Sequence, residues 1–110
     1  MLSSIHALLC NYSIPHCFAT TPHRCKVKDD DEWLEKTGLS FKNYSNRRDK
    51  RKSINLSCRL FCEKFFIDCI DMESQVDNSD FFYDDLHLTN RASPIVGKVL
   101  FDNLNKLGAF

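Results

Sequence analysis

Only three glycines occur in these 110 residues. Average usage of about 7% would supply roughly eight. Phosphate loops of the P-loop and dinucleotide-binding kinds are built on clustered glycines, because only glycine lets the backbone approach a phosphate so closely. Three glycines leave no room for one. The chain must instead fold around apolar periodicity, and 43% hydrophobic residues are enough for a core. Length fits one small domain. Fifteen basic and fifteen acidic side chains balance to a net charge of zero. Dedicated nucleic-acid binding needs a cationic excess, so that class is set aside. No apolar run approaches the roughly 18 residues of a membrane span.

The segment 5–19 reads as a strand running into a loop. Its apolar set is Ile5, Ala7, Leu8, Leu9, Cys10, Tyr12 and Ile14, closed by Pro15. No Lys or Arg precedes Arg24, which argues against a signal peptide and for a buried strand. Residues 20–46 read as irregular. They hold Pro22, the acidic run Asp29–Glu32 and Gly38, with a helical turn around Trp33. A helix follows. Ile54, Cys58, Phe61, Cys62 and Phe65 recur at spacings of four and three, one helical face. Arg47, Arg48, Lys50, Arg51 and Lys52 form its solvated first half, read in preference to a phosphate or RNA contact.

The run Phe65-Phe66-Ile67-Asp68-Cys69-Ile70 is aromatic and β-branched, and after a helix it predicts a buried parallel strand ending at Asp71. A polar stretch reaches Asp80. The last helix covers Ile95–Leu107, with Val96, Val99, Leu100, Leu104 and Leu107 as its stripe. Ser93-Pro94 reads as N-cap and first turn, Thr89 as an alternative cap, and Gly108 as the stop. The order β, loop, α, β, loop, α makes the chain α/β, with about two parallel strands and two to three helices.

Six cysteines are an even number, as in a disulfide framework. Cys10 and Cys69 sit in apolar runs, however, and Cys58 and Cys62 share a helix face. Buried free thiols behave as small hydrophobes, so reduced cysteines in a cytoplasmic setting are the preferred reading. A zinc site using His16, Cys17, His23, Cys25 or the Cys58/Cys62 pair is the weaker alternative, since C-x2-C knuckles are absent. No metal or cofactor is expected.

The chemistry-bearing block is Phe81-Phe82-Tyr83-Asp84-Asp85-Leu86-His87-Leu88-Thr89. A carboxylate three residues before a histidine can meet it across a turn. Asp84 would accept a hydrogen bond from the N–H of one ring nitrogen and leave the other nitrogen of His87 as a base. Together with NLSCRLFCEKFFIDCIDM and the helix that follows, residues 55–107 resemble the C-terminal part of the SGNH (GDSL-type) hydrolases. That family shows a helix, a strand ending in Ile-Asp, a variable loop, a D-x-x-H-L-T block and a final helix. The resemblance implies a flavodoxin-like three-layer sandwich of which residues 1–110 form one partial domain. It implies that His87 is the general base and Asp84 its orienting acid in a Ser-His-Asp triad. The substrate would be an acyl or acetyl ester of a small molecule, carbohydrate or lipid. Ala92 stands where the family usually has glycine, and Pro94 is unusual. The Gly-Asp-Ser nucleophile block, the oxyanion glycine and the Gly-x-Asn-Asp segment have no counterpart here. The expectation is therefore the base-bearing fragment of an ester hydrolase. An inactive remnant or interaction module, self-associating through an exposed sheet edge, is the alternative.

Overall fold

The computed structural model describes residues 1–24, 41–83 and 86–108, leaving aside the side chains of 41–44. Cys25, the acidic run, Trp33 and Asp84 lie outside these residues. The described elements are helix α1 (Leu2–Asn11), strand β1 (Phe18–Ala19), helix α2 (Phe41–Phe65), strand β2 (Cys69–Ile70), the short helix α3 (Met72–Gln75), a 3₁₀ turn (Ser79–Phe81) and helix α4 (Ser93–Lys106). The strands pair in parallel, Phe18 with Cys69 and Ala19 with Ile70.

Alternation along β2 sets the layers, because successive side chains leave a strand on opposite faces. The Cys69 sulfur meets those of Cys58 and Cys62 on α2, all within 4.8 Å of one another. Ile70 points the other way, into a core of Met72, Val76, Phe82 and Val96, with Val99 and Leu104 packed against it. Helices α2 and α4 therefore cover opposite faces of the strand pair. The mixed α/β expectation holds.

Several sequence readings change. Residues 2–11 are helical rather than extended. Leu2, His6 and Leu9 are its half-buried positions, an i, i+4, i+7 face with histidine at its centre. Helix α2 begins at Phe41, so residues 41–46 are helical; no Gly or Pro interrupts the chain from there to Phe65. Its buried stripe is Asn55, Cys58 and Cys62, while Ile54 is exposed. On α4 the inward positions are Val96, Val99 and Leu104, and Leu100 and Leu107 are exposed. Neither expected cap is used: the N-cap of α4 is Ala92, while Thr89 Oγ1 accepts from the Ala92 backbone N–H at 3.1 Å in the turn before the helix and Ser93 Oγ donates to the Thr89 carbonyl at 3.2 Å.

A further change concerns the helix ends and follows from the scarcity of glycine. After α1, Ser13 N–H bonds the Cys10 carbonyl at 3.0 Å and Ile14 N–H bonds Leu9 at 2.9 Å. After α2, Phe66 N–H bonds Glu63 at 3.5 Å and Ile67 N–H bonds Cys62 at 2.9 Å. Both are Schellman closures, whose hinge residue takes the left-handed conformation and is usually glycine. Here the hinges are Ser13 (φ 55°) and Phe66 (φ 54°); only Gly108 (φ 77°) fits the usual pattern. Phe66 therefore ends a helix rather than sitting in the predicted strand. Its side chain is 96% exposed and contributes no packing, while a left-handed non-glycine residue costs about 1–2 kcal/mol. Phe66→Gly is expected to stabilise the fold by about 1 kcal/mol, read as a higher urea midpoint at constant m. A lower midpoint would show that the ring is packed after all.

Candidate functional site

Parallel pairing brings the residues just after both strands to one end of the sheet, the end where open α/β sheets place their ligands. Thr20 follows β1 and Asp71 follows β2. Thr20 N–H continues the ladder to the Ile70 carbonyl at 3.0 Å. Its hydroxyl donates to Asp71 Oδ1 at 2.9 Å and accepts from the Glu73 N–H at 2.9 Å. Asn55 of α2 grips the next residue as a strand would. Its Oδ1 accepts from Thr21 N–H at 2.8 Å and its Nδ2 donates to the Thr21 carbonyl at 2.9 Å.

The Glu73 carboxylate is the hub. It accepts from Asn55 Nδ2 at 2.6 Å, from His23 Nε2 at 2.6 Å and from Arg59 Nη1 at 2.9 Å. Arg59 also reaches Asp71 Oδ1 at 3.3 Å. Burial pushes the Glu73 carboxyl up, but the hydrogen bonds from Asn55, Arg59 and His23 outweigh it and hold it below the usual carboxylate range. Burial likewise raises Asp71, and bonds from Ser74 and Thr20 with the nearby Arg59 charge bring it below the usual range. The same contacts push the Arg59 guanidinium up, Glu73 first.

These directions fix the sign of an acid effect. A carboxyl lower in the folded than in the unfolded chain stabilises fully above the ordinary value of about 4. That contribution begins to fall near there and is gone once the pH passes below the folded-state value. Urea midpoints are expected to hold from pH 7 to 5 and drop below about pH 4.5, with most of the drop absent in Glu73→Gln. An unchanged acid limb in that variant would contradict the assignment. Glu73 carries more of the effect than Asp71, whose side chain is more than a third exposed.

His23 is 1% exposed, so its ring braces the strand ends and does not itself meet a substrate. Cys25, which shares the weaker zinc set with His23, lies outside the described residues. His16 lies elsewhere, against α1.

The second part of the site is the turn bearing His87. Phe82 and Leu88 pair as an isolated antiparallel bridge. Tyr83 N–H bonds the His87 carbonyl at 3.1 Å, and Thr89 N–H bonds Phe81 at 2.8 Å. The His87 ring stacks on Tyr83, centroids 5.7 Å apart at 17°. His87 is exposed, and with Leu86, Arg47, Lys50 and Arg51 it lines a cavity of about 240 Å³. Three of the five residues of the basic block thus border the histidine, a juxtaposition the reading of a merely solvated helix face did not anticipate. Arg24, just beyond β1, donates to the carbonyls of Ser79 at 2.6 Å and Phe82 at 3.3 Å, which anchors the turn to the same end of the sheet. Asp84, the proposed partner of His87, lies outside the described residues.

Sequence reasoning missed Thr20, His23, Asn55, Arg59 and Glu73 as one constellation. The available signal was Asp71-x-Glu73 directly after the second strand. The five cysteines within the described residues are free thiols. Burial pushes the Cys69 thiol up to about 11 and raises those of Cys58 and Cys62. Among the described residues, no helix is long and apolar enough to cross a membrane. No family model, curated protein or solved structure matches the chain.

Proposed function

We propose that this chain supplies the histidine–aspartate half of a Ser-His-Asp ester hydrolase of the SGNH type. The observation that carries the reading is the placement of His87. It is exposed, it sits on a turn tied by Arg24 to the end of the sheet where both parallel strands finish, and only residues 88–92 separate it from helix α4. Helices on both faces of a parallel pair support the flavodoxin-like sandwich this reading assigns. In it, His87 takes a proton from a serine hydroxyl as that oxygen attacks an ester carbonyl, then returns it to the leaving alcohol. Asp84 holds the ring in the required tautomer. Acyl transfer also needs a nucleophile and oxyanion donors, and these come from a Gly-Asp-Ser-bearing segment that residues 1–110 do not contain.

The test is a fusion. The nucleophile-bearing portion of an SGNH-type hydrolase, cut before its own D-x-x-H block, is joined to the full chain. Hydrolysis of p-nitrophenyl acetate is then measured. Turnover above that of either part, lost in His87→Ala, is the expected result. A folded fusion without turnover overturns the reading.

A further inference from the structure

A second constellation lies away from the strand ends, where α1 meets the segment that follows it. His6 and Cys10 are four residues apart on α1 and therefore share one face. The Schellman closure at Ser13 reverses the chain and brings His16 back onto that face. The His6 Nδ1 and His16 Nε2 atoms are 2.8 Å apart, and Cys10 Sγ lies 3.7 Å from both ring nitrogens of His6. One donor atom from each of the three residues falls within 4.8 Å of the other two.

We infer that His6, Cys10 and His16 form a binding site for a zinc-type divalent cation, with a fourth coordination position left to water or an external ligand. Two nitrogens and one sulfur suit a borderline-soft ion. Tetrahedral bonds of about 2.1 Å to nitrogen and 2.3 Å to sulfur require separations of roughly 3.4 Å between nitrogens and 3.6 Å between nitrogen and sulfur. The sulfur is already at that range from His6 and within 4.8 Å of the His16 donor, and the imidazole pair must open by about 0.6 Å.

The surroundings prepare the ligands. His16 Nδ1 lies 2.8 Å from the Ile14 carbonyl. A carbonyl can only accept, so Nδ1 carries the proton and the Nε2 lone pair faces His6. A backbone carbonyl on the non-ligating nitrogen is the usual device that orients a metal-bound histidine. His6 is held by Phe61 and Phe65, each ring centroid 5.8 Å away. On binding, the Cys10 thiol proton leaves to solvent and the His6 Nδ1 proton moves through solvent to its Nε2. The ion then takes the thiolate and two neutral imidazoles. Cys58, Cys62 and Cys69 form the only other such group among the described residues. Two of those thiols are buried in the core, where a charged metal–thiolate centre has less solvent to stabilise it.

The test is titration of the reduced full chain with Co²⁺ without oxygen, followed by displacement with Zn²⁺. One Co²⁺ per chain is expected, with a thiolate-to-cobalt charge-transfer band and the strong visible absorption of a tetrahedral centre. Cys10→Ser abolishes the charge-transfer band. His6→Ala and His16→Ala each weaken binding at least tenfold. Cys62→Ser leaves the spectrum unchanged. Circular dichroism checks that each variant is folded. Absence of the band in the wild type, or its persistence in Cys10→Ser with loss in Cys62→Ser, overturns the site.

Discussion

Glu73→Ala is expected to lower the unfolding free energy by about 3 kcal/mol, a large part of the roughly 5–15 kcal/mol that holds a domain of this size. The reason is the set of donors left behind. His23 and Asn55 are 1% and 2% exposed, so water cannot replace the carboxylate that receives both of them. Arg59 suffers less, because its side chain is 35% exposed and keeps Asp71. Glu73→Gln retains the shape and one acceptor oxygen, and is expected to cost about half as much. Lys98→Ala is the contrast. It removes an exposed i, i+4 pair with Asp102 at 2.8 Å and is expected to change stability by less than about 0.5 kcal/mol. Urea unfolding at pH 7 measures all three. A Glu73→Ala midpoint indistinguishable from that of Lys98→Ala would show that the network carries no stability.

What the sequence revealed and what it concealed divide along physical lines. The strand ending at Ile70-Asp71 and the helix after Pro94 were legible, because each is a local apolar pattern bounded by local signals. Helix α1 was not. Seven apolar residues in ten positions satisfy a buried strand as well as a helix, and the residue that decides is His6. It counts as polar in any pattern, yet it is the contact of α1 with Phe61 and Phe65. On α2 the stripe was read correctly at Cys58 and Cys62 but one position off at its start. Ile54 and Asn55 differ by about 100° around the axis, and a lone Asn is not expected in a core. Asn55 is buried because Thr21, 34 residues away, offers it both a donor and an acceptor. The Glu73 hub joins residues up to 50 positions apart, and no window of sequence contains that pairing. His87 was visible from its motif. The nearness of Arg47, Lys50 and Arg51 was not, since it depends on where a helix that starts at Phe41 is carried by its packing.

In the hydrolase fusion, His87→Ala is expected to lower kcat by about 10³–10⁴-fold, equivalent to roughly 4–5.5 kcal/mol in the activation barrier. Asp84→Asn is expected to approach that loss, because an amide in place of the carboxylate turns the ring to the wrong tautomer. The double variant should fall little further than His87→Ala alone, since residues that act as one unit are strongly non-additive. Structure separates this from a stability effect. His87 is exposed and its ring stacks on Tyr83, so His87→Ala should change the unfolding free energy by about 1 kcal/mol at most, well below the barrier effect. Tyr83→Leu removes the stacking while leaving the imidazole in place, and is expected to cost far less turnover than His87→Ala. The pH profile provides the last discrimination. A general base works only in its unprotonated form, so activity of the wild-type fusion is expected to rise with pH, and that ascending limb disappears with His87. If the limb survives in His87→Ala, the base lies in the nucleophile-bearing portion and His87 has no part in the chemistry.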